Sequence, residues 1–222
     1  MPPRAEIRRR LGPGARAGLP YALAAFLVAV TFGVLAEPVF GGVETVVFSA
    51  IVFAGSAQFA ALAVLADGGG AGAAIVAGIL LNARFAPMGI AFGPSATGGA
   101  LARFLQGQAM VDASWALANR GGGRFDRDFM IGATATAYPA WVLGTALGVL
   151  AGDVIGEPAS LGLDVLFPAF FLSLLAEEAR DRTAVAVAIL GAATALALTP
   201  VAPPGVPILA ASAAVLVGVR RG

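Results

Sequence analysis

The sequence predicts an all-α integral membrane protein of about eight membrane segments, some short or broken, with a possible internal repeat. Three observations carry this. Of the 222 residues, 59% are hydrophobic and only 12% charged, against about 45–50% and about 25% in a soluble domain. Mean hydropathy is +0.87. Apolar runs also recur along the whole chain at lengths near the roughly 20 residues that a helix needs to cross a bilayer core.

The chain opens with MPPRAEIRRRLGPGARAGLP, a basic stretch running into an apolar one. A secretory signal peptide starts this way, but no small-x-small cleavage site leads into a polar mature domain, and hydrophobic segments simply continue. Residues 1–18 therefore read as a basic cytoplasmic tail and 19–219 as a single transmembrane domain. Within it the candidate spans are 19–36, 43–66, 71–92, 129–151, 160–175, 184–199 and 205–219. Residues 101–118 are weaker, because Arg103, Gln106, Gln108 and Asp112 interrupt them. They form an eighth span buried among other helices or an interfacial helix.

Arginine placement orients the chain. Arg4, Arg8, Arg9, Arg10 and Arg16 lie in the tail; Arg120, Arg124 and Arg127 lie in 119–128; Arg180 and Arg182 lie in 176–183; Arg220 and Arg221 lie at the end. The segments 37–42, 152–159 and 200–204 hold none. With the arginine-bearing ends inside, both termini are cytoplasmic, the protein sits in the inner (plasma) membrane, and an even number of crossings precedes residue 119. That parity favours counting 101–118 as a span. An echo, Gly33-Val34-Leu35-Ala36 and Gly148-Val149-Leu150-Ala151, hints at a duplication. So does the pairing of Phe48-Ser49-Ala50 after Glu44 with Phe167-Pro168-Ala169 after Asp164. Transporters are often built from such repeats, although short matches also arise by chance in an Ala/Gly-rich chain.

Several chemistries are excluded or disfavoured. There is no cysteine and no histidine, so no disulfide, thiol nucleophile or histidine base exists. The triple glycines at 68–70 and 121–123 lack the Lys-Ser/Thr of a phosphate loop. With net charge +1, nothing points to nucleic acid. No metal, cofactor or catalytic carboxylate pair is expected, and the chain does not read as an enzyme.

The candidate site comes from polar groups inside the apolar segments, which are costly there and functional by default. FAGSAQF, residues 53–59, places Gly55, Ser56 and Gln58 mid-segment, where a local opening is permitted. In LNARFAPMG, Pro87 lacks an amide hydrogen and frees the carbonyl near Ala83, so the helix is expected to break beside Asn82 and Arg84. Pro168 does the same four residues after Asp164. Broken helices at mid-membrane expose half-helix ends that bind polar substrates. Ser56, Gln58, Asn82 and Arg84 are the candidate substrate-binding residues. Asp112 and Asp164 are candidates for proton coupling or for an ion pair. Plainer readings stand beside these. Arg84 would serve only to neutralise Asp112 or Asp164, Asp164 would lie near the surface, Gln58 would be interhelical glue worth about 1 kcal/mol, and the glycines would only permit close packing. A cation, an acid and apolar walls would suit an amino acid.

Stretches GVLAEPVFGGVETVVFSAIVFAGSAQFAALAVLADGGG, LLNARFAPMGIAFGPS, VDASWALA, AYPAWVLGTALGVLAG and LGLDVLFPAFFLSLL resemble the AzlC family of branched-chain amino acid exporters. The resemblance covers roughly residues 15 to 200. It implies a permease that exports valine, leucine, isoleucine and sometimes methionine or toxic analogues, driven by the proton motive force. It also implies a small, separately encoded hydrophobic membrane partner of the AzlD type. Two departures stand out. Phe85 occupies the place of a histidine that often follows the third-span arginine, and Ala113 follows Asp112 where an acid pair is common. Proton coupling then falls to Asp112, Asp164, Glu44 or the partner. The competing reading is a structural or regulatory subunit whose partner carries the substrate site.

Overall fold

A computed structural model describes residues 4–66, 68–155, 182–202 and 206–214, together with positions 172, 175, 176 and 179. Asp164, Pro168, the candidate span 160–175 apart from positions 172 and 175, and the Phe167-Pro168-Ala169 half of the second echo lie outside the described residues. The described chain is helical, its one β-feature being an isolated bridge between Asn119 and Phe125. The helices are α1 (Arg4–Phe40), α2 (Gly42–Val52), α3 (Gly55–Ala66), α4 (Ala71–Asn82), α5 (Phe85–Phe92), α6 (Ala100–Gln108), α7 (Asp112–Ala118), α8 (Arg127–Ile155), α9 (Arg182–Leu198) and α10 (Val206–Ser212). Among the described residues, α1 and α8 are individually long and apolar enough to cross a bilayer.

The chain divides into two compact units: Met1–Phe53 with Arg84–Leu163, and Ala54–Ala83 with Asp164–Gly222. Two of the places where the chain passes between units, Phe53/Ala54 and Ala83/Arg84, are also helix breaks. Both lie where the sequence predicts an interruption.

In the first unit, α1 and α8 pack along their length. They run parallel: Gly14 faces Phe129 near their starts, and Gly33 faces Thr145 and Gly148 further along. The approach is backbone to backbone. A Cβ on Gly148 would sit 2.1 Å from the Val30 carbonyl oxygen, and one on Gly33 would sit 2.3 Å from that of Thr145. Only glycine permits this contact, which maximises dispersion where lipid supplies no hydrophobic drive. Helix α1 begins at Arg4, so the basic tail is continuous with the first apolar run. Arg10 pairs with Asp128 at 3.1 Å, tying the two starts together. Helix α2 runs back along α8. Gly42 lies against Val149, the Ser49 and Thr145 hydroxyls are 2.8 Å apart, and the Tyr138 hydroxyl donates to the Ala50 carbonyl. Ser49 and Thr145 are fully buried, and the hydrogen bond offsets the cost of placing two hydroxyls there.

The stretch 101–118 is not one helix. Val111 is extended (φ −121°, ψ 165°) and separates α6 from α7. At nine and seven residues, neither helix reaches the roughly 30 Å of a bilayer core. Its two ends also lie at the same end of α8. The Phe125 amide donates to Ser95 Oγ at 3.2 Å, Arg127 donates to the Thr97 hydroxyl, and the Asp126 amide donates to the Ala118 carbonyl at 2.9 Å. Between them Ala109 accepts from Thr134, two turns along α8. The chain therefore enters beside Arg127, reaches Thr134 and returns. Counting 101–118 as a crossing is corrected to a hairpin. The cause is local: the Gln106 amide is satisfied by the Thr97 backbone, donating at 2.7 Å and accepting at 3.1 Å, which folds the entry back on itself. Since Gly42 lies at the far end of α8 and Ser95 at the near end, the chain between them makes one net passage. Within that stretch α4 and the helix after it are together long and apolar enough to form one span, bent by 41° at the break between them. The hairpin is sealed by Phe92, Ala96, Ala118 and Met130, with Met110 and Phe125 against them.

In the second unit, α3 and α4 form an antiparallel pair with Gly78 against Ala57. Helices α9 and α10 pack together, Gly191 against Ala211.

Candidate functional site

The Arg84–Asp112 pair belongs to the first unit. Pro87 cannot donate to Ala83, and the chain leaves α-helical bonding at Ala83 and Arg84 before α5 begins. Arg84 Nη2 donates to Asp112 Oδ2 at 2.9 Å, and both side chains are about a quarter exposed. The guanidinium also lies over the Phe85 ring, 5.2 Å from its centroid, a favourable place for a cation. Asp112 opens α7 and is held there by its neighbours. The Val111 amide donates to Ser114 Oγ at 3.0 Å, the Ser114 hydroxyl donates to the Ala109 carbonyl at 2.8 Å, and Trp115 Nε1 donates to the Met88 carbonyl at 3.3 Å. The last of these ties α7 to α5, so acid and base are positioned from both sides. Among the described residues, the acid that pairs with Arg84 is Asp112.

Ser56, Gln58 and Asn82 belong to the second unit. Ser56 and Gln58 are buried in the first turn of α3, Gln58 completely, and both have interaction partners. Helical bonding begins with the Gln58 amide donating to Ala54 at 3.0 Å. The Gly55 and Ala57 amides precede it and lie at the positive end of the helix. Antiparallel pairing with Gly78 opposite Ala57 carries Asn82, one turn beyond Gly78, to the level of this helix start. Asn82 Oδ1 is buried and has no hydrogen-bond partner among the described residues. Such an acceptor costs about 1–3 kcal/mol, a cost that a bound donor would remove. Asp164 lies outside the described residues.

Sequence reasoning missed Tyr138, Thr134, Ser114 and the Ser49–Thr145 pair. The signal for the pair was present, since a hydroxyl in each of two apolar runs has to find a partner. Nothing in the sequence said that the partner of each was the other. No group of three or more acids that could hold a metal occurs among the described residues.

Over 201 residues the chain is 29% identical to an inner membrane protein of Escherichia coli, YgaZ, covering 83% of this chain and 80% of that one. It is 32% identical over 188 residues to an uncharacterized membrane protein of Archaeoglobus fulgidus, covering 80% of each. No solved structure matches it. The family model described as AzlC protein matches residues 20–155. That range holds the second half of α1 and all of α2 through α8, both helix breaks and the Arg84–Asp112 pair, and on this match the chain belongs to the AzlC family.

Proposed function

We propose that the chain is the large subunit of an exporter of branched-chain or related small apolar amino acids, drawing on the proton motive force. Family membership and the membrane-named relatives support a transport role in the membrane. The observation that carries the finer reading is the buried, unsatisfied Asn82 Oδ1 level with the start of α3. An amino acid offers an ammonium to that acceptor and a carboxylate to the amides of Gly55 and Ala57, with Ser56 and Gln58 beside them. The surrounding Ala and Leu side chains of α3 and α4 accept an aliphatic side chain but give no reason to hold a charged one. Asp112 is the proposed proton carrier, its charge balanced by Arg84. The arginine excess supports a cytoplasmic location for the shared end of α1 and α8. A small hydrophobic membrane subunit of the AzlD type is the proposed partner.

A second reading has its own support. Because Arg84 is already neutralised by Asp112, that pair can serve as a structural tie while the partner carries the substrate. Export of labelled leucine and valine from vesicles, by this chain alone and with the small subunit, under an imposed pH gradient, separates the two. Leucine-dependent proton movement that Asn82→Leu abolishes supports a site in this chain. Export unaffected by that change assigns the site elsewhere.

A further inference from the structure

The break ahead of FAGSAQF has an unusual residue at its centre. Phe53 has φ 41° and ψ 47°, the only positive φ on a non-glycine among the described residues. An L side chain resists that conformation, so something must hold it. Nothing between Gly42 and Ala66 forbids a continuous helix, since the stretch has no proline. In such a helix the Ala54 amide would donate to the Ala50 carbonyl. Here that carbonyl accepts the Tyr138 hydroxyl of α8 at 2.8 Å instead. The last amide bonded in α2 is that of Phe53, which donates to Ser49 at 3.2 Å. The Phe53 ring meets the Tyr138 ring edge-on, with centroids 5.0 Å apart. Two turns along α8, Thr145 meets Ser49, so α2 cannot slide away from this contact.

We propose that Tyr138 is a positioning residue that keeps FAGSAQF broken, its hydroxyl competing for the Ala50 carbonyl that a continuous α2–α3 helix would use and its ring bracing Phe53 in the left-handed conformation. Healing the helix would consume the amides of Gly55 and Ala57, the groups proposed to receive the substrate carboxylate. The consequence for transport rests on that proposed site; the latch itself does not.

Tyr138→Phe removes the hydroxyl and keeps the ring. In the full chain in nanodiscs, hydrogen exchange across residues 50–58 should slow on the order of tenfold as the freed carbonyl recruits the Ala54 amide. Unchanged or faster exchange overturns the proposal. Adding Phe53→Gly should restore the wild-type exchange, because glycine takes the left-handed conformation without strain; failure to restore it also overturns the proposal. Transport then gives a separate reading. If only the broken form binds, Tyr138→Phe raises KM for leucine with kcat nearly unchanged, because saturating substrate draws the chain back to that form. Slowed exchange with an unchanged KM upholds the latch and refutes FAGSAQF as the substrate site.

Discussion

Arg84 reaches across 28 residues of chain to donate to Asp112 at 2.9 Å, joining a helix break to the inner tip of a hairpin. Removing one partner leaves the other charge uncompensated in a partly buried place, which is far more costly than removing both. Arg84→Ala and Asp112→Ala should each lower membrane abundance, and the double variant should recover it. Quantitative blotting of membranes measures this. If export returns along with abundance, the pair is a structural tie. Abundance without export assigns transport to one of the two residues.

Gln58 is fully buried at the start of α3. As glue between helices it would be worth about 1 kcal/mol, and Gln58→Leu would leave export near normal at matched abundance. As part of the substrate site, Gln58→Leu should abolish leucine export in a chain that still inserts. Uptake assays on vesicles of matched protein content decide.

The hairpin and the parallel α1–α8 pair make a joint claim about sidedness. Cysteine labelling is clean in a chain that has no native cysteine. Arg8→Cys, Gly99→Cys and Arg124→Cys should react with an impermeant thiol reagent from one side, and Glu37→Cys from the other. Gly99→Cys reacting with Glu37→Cys would mean that 101–118 crosses after all.

At the α1–α8 seam a single methyl is predicted to be harmful. Gly148→Ala puts a carbon 2.1 Å from the Val30 oxygen, and the helices must separate. Overpacking of this kind costs about 1–3 kcal/mol. Thermal unfolding in detergent, followed by tryptophan fluorescence, should show the loss. Gly12→Ala, on α1 with open space around it, should not.

Asp126 caps α8, accepting the Phe129 amide at 3.0 Å and pairing with Arg120 at 3.2 Å. The Phe129 N–H, and after it the Arg120 guanidinium, hold its carboxyl below the usual carboxylate range. A depressed folded value means the cap stabilises above the ordinary carboxylate pKa of about 3.9. That benefit is lost as the pH falls through the folded value. Asp126→Ala should cost about 1 kcal/mol at neutral pH. The gap to the wild type in melting temperature should close progressively below about pH 4.

Both helix breaks were legible in the sequence, for different reasons. Pro87 dictates a break near Ala83 by removing a donor, and the chain opens there. Gly55 and Ser56 permit an opening but do not force one, and the break lies slightly earlier, at Phe53 and Ala54, where Tyr138 holds it. Local chemistry reached the first; the second needed a residue 88 positions away. The hairpin at 101–118 was not legible, because arginine parity fixes only that the number of crossings is even, not which segments make them. The Arg84–Asp112 pair was readable as one of several balances for a charge in an apolar segment, and the fold shows that pairing at 2.9 Å.

The echo of Gly33-Val34-Leu35-Ala36 in Gly148-Val149-Leu150-Ala151 acquires a meaning at the seam. Gly33 meets Gly148, its own counterpart. Shifting by the same interval exchanges Val30 with Thr145, and these supply the carbonyls that face Gly148 and Gly33 respectively. Each helix thus presents to the other the face it receives, which is how two identical chains meet about a twofold axis. Because the helices are parallel, that axis runs along them. A half-length chain carrying one such helix could make this contact with its own copy, as a homodimer with both protomers inserted in the same orientation.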